Sequence, residues 1–173
     1  MNLETPLTPD FELPVDRERT RELREARDAR AARRNPLMGA RVLLVEDHPI
    51  NQEIAREILT TSGAQVSIAG NGEEAVQAVL EASQPFDLVL MDIQMPVMDG
   101  YQATRLIREE PQGQTIPIIA MTANGIGDER ERCLAAGMSD HLAKPIDLDE
   151  LFEVIKRWLV PRVPRETLGF PIG

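Results

Sequence analysis

Between Arg41 and Leu159, short apolar runs alternate with amphipathic stretches. The apolar runs predict strands at RVLLV (41–45), QVSIA (65–69), FDLVLM (86–91), IPIIAM (116–121) and DHLA (140–143). Helical periodicity follows each of them, near 50–62, 72–83, 98–109, 127–136 and 148–159. Asn71 before Glu74 has the form of a capping box, and Asp147 before Glu150 repeats it. Leu151, Ile155 and Trp158 then fall at helical spacing. Strands that alternate with helices imply a parallel sheet covered on both faces, with right-handed crossovers.

The flanks have a different texture. Residues 1–15 are Pro-rich and predict an extended linker, and residues 161–173 a flexible tail. Residues 16–34 mix eight arginines with five acids. Leu23 is the only large apolar side chain among them, so no coiled-coil seam exists. Because acids interleave the arginines, a solvated helical or disordered linker over 16–39 is expected in preference to a basic binding arm. The folded domain is expected over 40–160.

Composition narrows the class. Aromatics make up 3% of the chain, so the core must be aliphatic. A net charge of −10 argues against nucleic acid or an anionic membrane surface as partner. One cysteine, Cys133, excludes an internal disulfide and a multi-cysteine metal site; it is expected to pack as a small hydrophobe. No apolar run has the length of a membrane span and no signal-peptide core stands at the N-terminus, so a soluble cytoplasmic protein is expected.

The polar residues that interrupt this frame share one place in it. Glu46 and Asp47 follow the first apolar run, Asp92 the third, Thr122 the fourth and Lys144 the fifth. In a parallel sheet those positions line one edge, and ligands bind there, at the topological switch point. With strand order 2-1-3-4-5, Asp47 and Asp92 would face each other across it. A single Asp after a strand is ordinarily a turn former or cap, and Asp99 before Gly100 is read that way. Several carboxylates together repel one another. A divalent cation relieves this, and magnesium prefers oxygen ligands and pairs with phosphate. A lysine and a hydroxyl aimed at the same point complete a site for a phosphoryl group. His48 is an improbable ligand of such a cation.

Four segments, VLLVEDHPINQ, DLVLMDIQMPVMDG, PIIAMTAN and HLAKPI, together resemble the receiver domain of two-component response regulators, most closely receivers of hybrid histidine kinases. The resemblance implies a flavodoxin-like α/β fold, a doubly wound five-stranded parallel sheet with five helices in three layers. It implies that Asp92 is the phosphoacceptor for a phosphohistidine. Mg2+ would be held by Glu46, Asp47, Asp92 and the backbone carbonyl of Gln94. Thr122 would bind the phosphoryl oxygens and Lys144 would pair with Asp92, ahead of a cis Lys144–Pro145 bond. Gln94 and Asn124 would tune hydrolysis, and Ala123 would leave access. His141 stands where the family often carries a rotating Tyr or Phe, and is read equally as a switch ring or as a surface imidazole. Implied partners are a histidine kinase dimerisation domain or a histidine phosphotransfer domain. A homodimer through the fourth helix, fifth strand and fifth helix is a further implied assembly.

Two other classes compete. A docking module of the same fold, never phosphorylated, would lack the reason to keep all of Glu46, Asp47, Asp92, Thr122 and Lys144. A phosphatase of the haloacid dehalogenase type would carry D-x-D after the first strand, where this chain has VEDHP. The only catalysis expected is therefore self-catalysed phosphoryl transfer and dephosphorylation. PDFELPV (9–15) faintly resembles the last strand of a kinase ATP-binding domain, which would make residues 16–40 a kinase-to-receiver linker.

Overall fold

The computed structural model describes residues 18, 21–26, 35–123 and 127–159. They fall into two compact units, split between Arg34 and Asn35. In the first unit the described residues are helical, Arg21 Nε donates to Glu25 Oε1 at 2.8 Å, and Leu23 is exposed, as its lack of apolar neighbours requires. The expectations for residues 1–15 and 161–173 lie outside the described residues.

The second unit is a five-stranded parallel sheet in the order β2-β1-β3-β4-β5. Its strands are β1 (Arg41–Val45), β2 (Gln65–Ala69), β3 (Leu88–Asp92), β4 (Ile118–Thr122) and β5 (Asp140–Ala143). The helices are α1 (Pro49–Thr61), α2 (Gly72–Glu81), α3 (Gly100–Glu109), α4 (Asp128–Ala135) and α5 (Leu148–Trp158), with a short 3-10 turn at Pro111–Gly113. This is the doubly wound, flavodoxin-like α/β fold that the resemblance implied, built on the parallel sheet that the pattern predicted.

Alternation along the strands divides the core in two. Val42, Leu44, Leu88, Leu90, Ile119, Met121 and Leu142 face Leu59 of α1 and Leu151, Val154 and Ile155 of α5. Leu43, Val45, Val89, Met91, Ile118 and Ala120 face the other way, against Ala75 and Val79 of α2, Ala103 and Ile107 of α3, and Cys133 of α4. β3 and β4 are buried along their whole length because both faces are covered. Each fully buried Leu, Ile or Val contributes about 1.5–3 kcal/mol, so the central strands are the fold's main anchor.

Caps set the helix starts. Glu74 N donates to Asn71 Oδ1 at 2.9 Å, while the Glu74 carboxylate returns to Asn71 Nδ2 and to the Gly70 N–H. Asp99 Oδ1 accepts from Gln102 N at 2.8 Å and Asp147 Oδ1 from Glu150 N at 2.9 Å.

Three boundaries differ from expectation. β3 and β4 begin two residues later than the apolar runs and end on Asp92 and Thr122 themselves. Phe86 and Ile116 are buried but not in the strands. Apolarity marks the core, not the hydrogen-bond ladder. In the stretch 35–39, read as linker, Leu37 is 1% exposed and packs with the α1–α5 face, and its N–H donates to Ser62 O at 2.9 Å. Residues 35–39 thus belong to the folded unit.

Candidate functional site

The order β2-β1-β3 makes β1 and β3 neighbours, with their crossovers leaving in opposite senses, so a crevice opens beyond Val45 and Asp92. Glu46 and Asp47 emerge from the end of β1, and Asp92 closes β3. One carboxylate oxygen from each lies within 4.8 Å of the others. Glu46 and Asp92 are buried and Asp47 is exposed. Three oxygen donors open to solvent on one side suit a hard divalent cation that keeps some of its waters.

Lys144, just past β5, reaches across the crevice. Its Nζ lies 2.9 Å from Glu46 Oε2 and 3.1 Å from Asp92 Oδ2. Expectation gave it only the contact to Asp92. The Lys144 N–H donates to Thr122 O at 2.7 Å, which ties the lysine to the end of β4. The Lys144–Pro145 bond is cis. The buried Thr122 hydroxyl donates to Leu142 O at 3.4 Å, towards β5 rather than Asp92.

Glu46 is held more firmly than its position after a strand suggests. Its Oε1 accepts from His48 N and from Asn51 Nδ2, both at 3.2 Å, and Gln52 Nε2 donates to its backbone carbonyl at 2.6 Å. The sequence reading missed Asn51 and Gln52. The available signal was their place in the first turn of α1, whose start faces the end of β1. His48 contributes a backbone N–H here.

Electrostatics separates the two buried acids. Burial alone would push the Glu46 carboxyl up, but Lys144, the His48 N–H and Asn51 outweigh it and hold it below the ordinary carboxylate range. Burial dominates at Asp92 and, with the nearby Glu46 charge, pushes it above that range despite Lys144. Burial also works against the Lys144 charge, yet Glu46 and Asp92 raise its pKa above the ordinary lysine value. Asp92 is thus the acid whose charge the site leaves least compensated. A bound cation or a phosphoryl group with its own counter-ion would relieve it.

The remaining predicted residues surround this cluster. The Gln94 N–H donates to Asp92 Oδ1 at 3.3 Å, and its side chain is exposed. Ala123 is exposed at the end of β4. Asn124 lies outside the described residues. His141 lies on β5, with its Nδ1 buried and without a hydrogen-bond partner among the described residues, 3.8 Å from Asp140 Oδ1.

Fold and site define a doubly wound α/β protein with an acidic, lysine-bridged pocket at its switch point. Residues 42–156 match the family described as response regulator receiver domain, and the chain belongs to that family. It is 45% identical over 120 residues to the two-component response regulator ORR41 of Oryza sativa subsp. japonica, covering 68% of this chain and 93% of ORR41. It is 42% identical over 121 residues to the sensor histidine kinase GacS of Pseudomonas protegens, covering 68% of this chain but 13% of the kinase. The receiver domain of sensor histidine kinase PA1611 from Pseudomonas aeruginosa PAO1, solved with magnesium coordinated in its active site cleft, is 45% identical. It superposes with a TM-score of 0.65 over 70% of this chain and 98% of that one. The receiver domain of Saccharomyces cerevisiae Ssk1, solved with the histidine phosphotransfer protein Ypd1, is 31% identical, with a TM-score of 0.65 over 70% of this chain and 90% of that one.

Proposed function

We propose that this chain accepts a phosphoryl group on Asp92 from a phosphohistidine and acts as the receiver of a phosphorelay. The observation that carries the reading is the cluster of Glu46, Asp47 and Asp92 bridged on one side by Lys144. One Asp92 carboxylate oxygen attacks phosphorus. The O–P bond forms, the N–P bond to the donor imidazole breaks, and that nitrogen leaves as a neutral base or takes a proton from water. Such transfer needs alignment and charge neutralisation more than covalent help from other groups.

Glu46, Asp47 and Asp92, with the Gln94 carbonyl, would hold Mg2+, which supplies countercharge to the phosphoryl oxygens. Lys144 stays beside the Asp92 oxygens and offsets the negative charge that accumulates there. Thr122 turns its hydroxyl from Leu142 O towards the phosphoryl group, and His141, on the next strand, responds as the switch ring. Gln94 and Asn124 orient water for hydrolysis, and Ala123 leaves the approach open.

The donor is a kinase dimerisation domain or a histidine phosphotransfer domain. Its docking face is α1, where Ile50 and Ile54 are 64% and 55% exposed beside a groove of about 570 Å³ lined in part by Ile58, Pro145, Ile146 and Leu148. A homodimer through α4, β5 and α5 is part of the same reading, as is action in the cytoplasm, where a kinase meets ATP. The chain spans a small part of GacS, and membership of a longer kinase is a proposal of the same standing.

Labelling with phosphoramidate tests the central step. The expected result is Mg2+-dependent, acid-stable and alkali-labile phosphorylation that Asp92→Ala abolishes. Equal labelling of that variant would overturn the assignment. Normal folding with no labelling and no Mg2+ binding would instead favour the docking module.

A further inference from the structure

The helix α4 (Asp128–Ala135) has little to hold it from within. It is eight residues long, opens on five consecutive charged residues, DERER, and buries one side chain, Cys133. Gly127 precedes it at φ +78°, and no side chain among the described residues caps its start. A helix that short has no stability of its own in water, so its place depends on its neighbours. Tyr101, in the first turn of α3, supplies a polar one. Its hydroxyl donates to Glu129 Oε1, and the Arg132 guanidinium lies over its ring, with Cζ 5.5 Å from the centroid. Glu129 and Arg132 are three residues apart and so share a face of α4. A hydroxyl on a carboxylate is a charge-assisted bond, stronger than a neutral one. Burial, and then Glu129, push the Tyr101 phenol well above its ordinary pKa, so it stays a donor at neutral pH.

Tyr101 is fixed to the Asp92 side of the site. It follows Gly100, whose N–H donates at 2.9 Å to the carbonyl of Ile93, the residue after Asp92. Glu129 belongs to the other side, because α4 is the helix that follows β4, and β4 ends on Thr122. Between the two sides lies a cleft of about 530 Å³ with Gln94, Tyr101, Glu129 and Arg132 in its walls. Loop and helix are therefore not packed together along this cleft, and the Tyr101 side chain spans it. Asp92 pairs with Met121 in the sheet register, so Thr122 stands one residue beyond it on the adjacent strand. The Thr122 hydroxyl now donates away from Asp92, to Leu142 O. Its approach to a group on Asp92 draws the end of β4 inward and pulls on the first turn of α4.

We propose that Tyr101 is a positioning residue that brakes the switch. Its bond to Glu129 holds α4 in the arrangement in which Thr122 donates to Leu142 O, and opposes the arrangement that a phosphoryl group on Asp92 requires. The proposal rests on Asp92 being the phosphoacceptor. Phosphorylation breaks the Tyr101–Glu129 bond, so part of the interaction between Thr122 and the phosphoryl group is spent on releasing α4. Because linkage is reciprocal, weakening the bond makes the site more receptive. Release of α4 also uncovers Cys133, which is 1% exposed and lies one turn after Glu129 on the same helix.

Tyr101→Phe removes the hydroxyl and keeps the ring under Arg132, while Glu129→Gln keeps an acceptor and removes its charge. The unchanged protein, both variants and the double variant are titrated by calorimetry with beryllofluoride and Mg2+. The thiol of Cys133, the chain's single cysteine, is timed against the disulfide reagent DTNB. Each single variant should bind beryllofluoride about fivefold more tightly, and the double variant no more tightly than Tyr101→Phe. Cys133 should react faster in Tyr101→Phe than in the unchanged protein, and beryllofluoride should speed the unchanged protein's own reaction. Should one variant fail to fold, the other decides. A lowered melting temperature with unchanged or weaker affinity would leave Tyr101 a structural role only and overturn the proposal. So would effects that add in the double variant. An unchanged protein that binds no beryllofluoride and takes no label from phosphoramidate on Asp92 would overturn the receiver reading itself.

Discussion

Lys144 and Glu46, ninety-eight residues apart in the chain, form an ion pair of 2.9 Å across the site crevice. The same ammonium reaches Asp92 at 3.1 Å, so one side chain neutralises part of the charge that a divalent cation would also neutralise. Lysine and cation therefore compete for Glu46 while both support Asp92. Lys144→Ala is expected to bind Mg2+ more tightly, by roughly fivefold to thirtyfold, because it removes about 1–2 kcal/mol of repulsion at the site. It should also accept phosphoryl groups more slowly. Calorimetric titration with Mg2+ separates the two effects, and weaker binding by the variant would show that Lys144 organises the ligands instead of competing with the ion.

The buried Asp92 carboxylate carries a penalty that its amide would not. Its pKa in the fold lies above the ordinary value, so the ionised form disfavours the fold above that range, and the penalty fades as pH falls through the folded pKa. Asp92→Asn should therefore melt above the unchanged protein at neutral pH, with the gap closing in acid. Mg2+ at tenfold excess over Kd should stabilise the unchanged protein by about 1.4 kcal/mol and the variant much less. Melting curves at several pH values with and without Mg2+ check both. A variant less stable at neutral pH would mean that the Lys144 contact outweighs burial.

Much of this site was legible because parallel topology turns sequence position into spatial position. Residues at the ends of apolar runs must gather at one edge, so Glu46, Asp47, Asp92, Thr122 and Lys144 could be grouped before any coordinates. The contacts among them were not legible. Nothing in HPINQ shows that Asn51 holds Glu46 Oε1, since that depends on the angle at which α1 leaves β1. The Lys144–Glu46 pair depends on sheet twist and on how far β5 stands from β1. Arg108 is a similar case. It reads as a surface residue of α3, yet its guanidinium binds the carbonyls of Gly113, Ile116 and Gly137 and so joins the α3–β4 connection to the α4–β5 connection. Val97 reads as an ordinary loop residue, yet it holds φ +70°, because φ leaves no trace in composition.

Gly100 fixes how closely α3 starts behind Asp92. A Cβ built there would stand 2.3 Å from the Asp92 carbonyl oxygen and 3.0 Å from Ile93 Cα, both backbone atoms that cannot move aside cheaply. Gly100→Ala should destabilise the fold by about 2–4 kcal/mol and displace the Asp92 loop, so that phosphoramidate labelling slows even in the folded fraction. Urea unfolding with parallel labelling reads both quantities. A loss of stability with full labelling would show that the loop absorbs the displacement without moving Asp92.

Asp140 ties the start of β5 to the end of α5, next to His141. Its Oδ2 accepts from Trp158 Nε1 at 2.9 Å and Arg157 Nη1 at 3.0 Å, and its Oδ1 from the His141 N–H at 2.9 Å. Burial would raise its pKa, but the indole, the backbone N–H and the guanidinium together hold it below the ordinary aspartate value. A carboxylate depressed in the fold adds stability that is complete above its unfolded pKa and disappears as pH falls through the folded one. Asp140→Asn should therefore cost about 1–3 kcal/mol at neutral pH, with the difference from the unchanged protein closing below the ordinary aspartate range. Trp158 is the only tryptophan in the chain, so its fluorescence reports this contact directly during unfolding. A gap that stays constant down to strong acid would assign the stabilisation to packing of the indole rather than to the charge it touches.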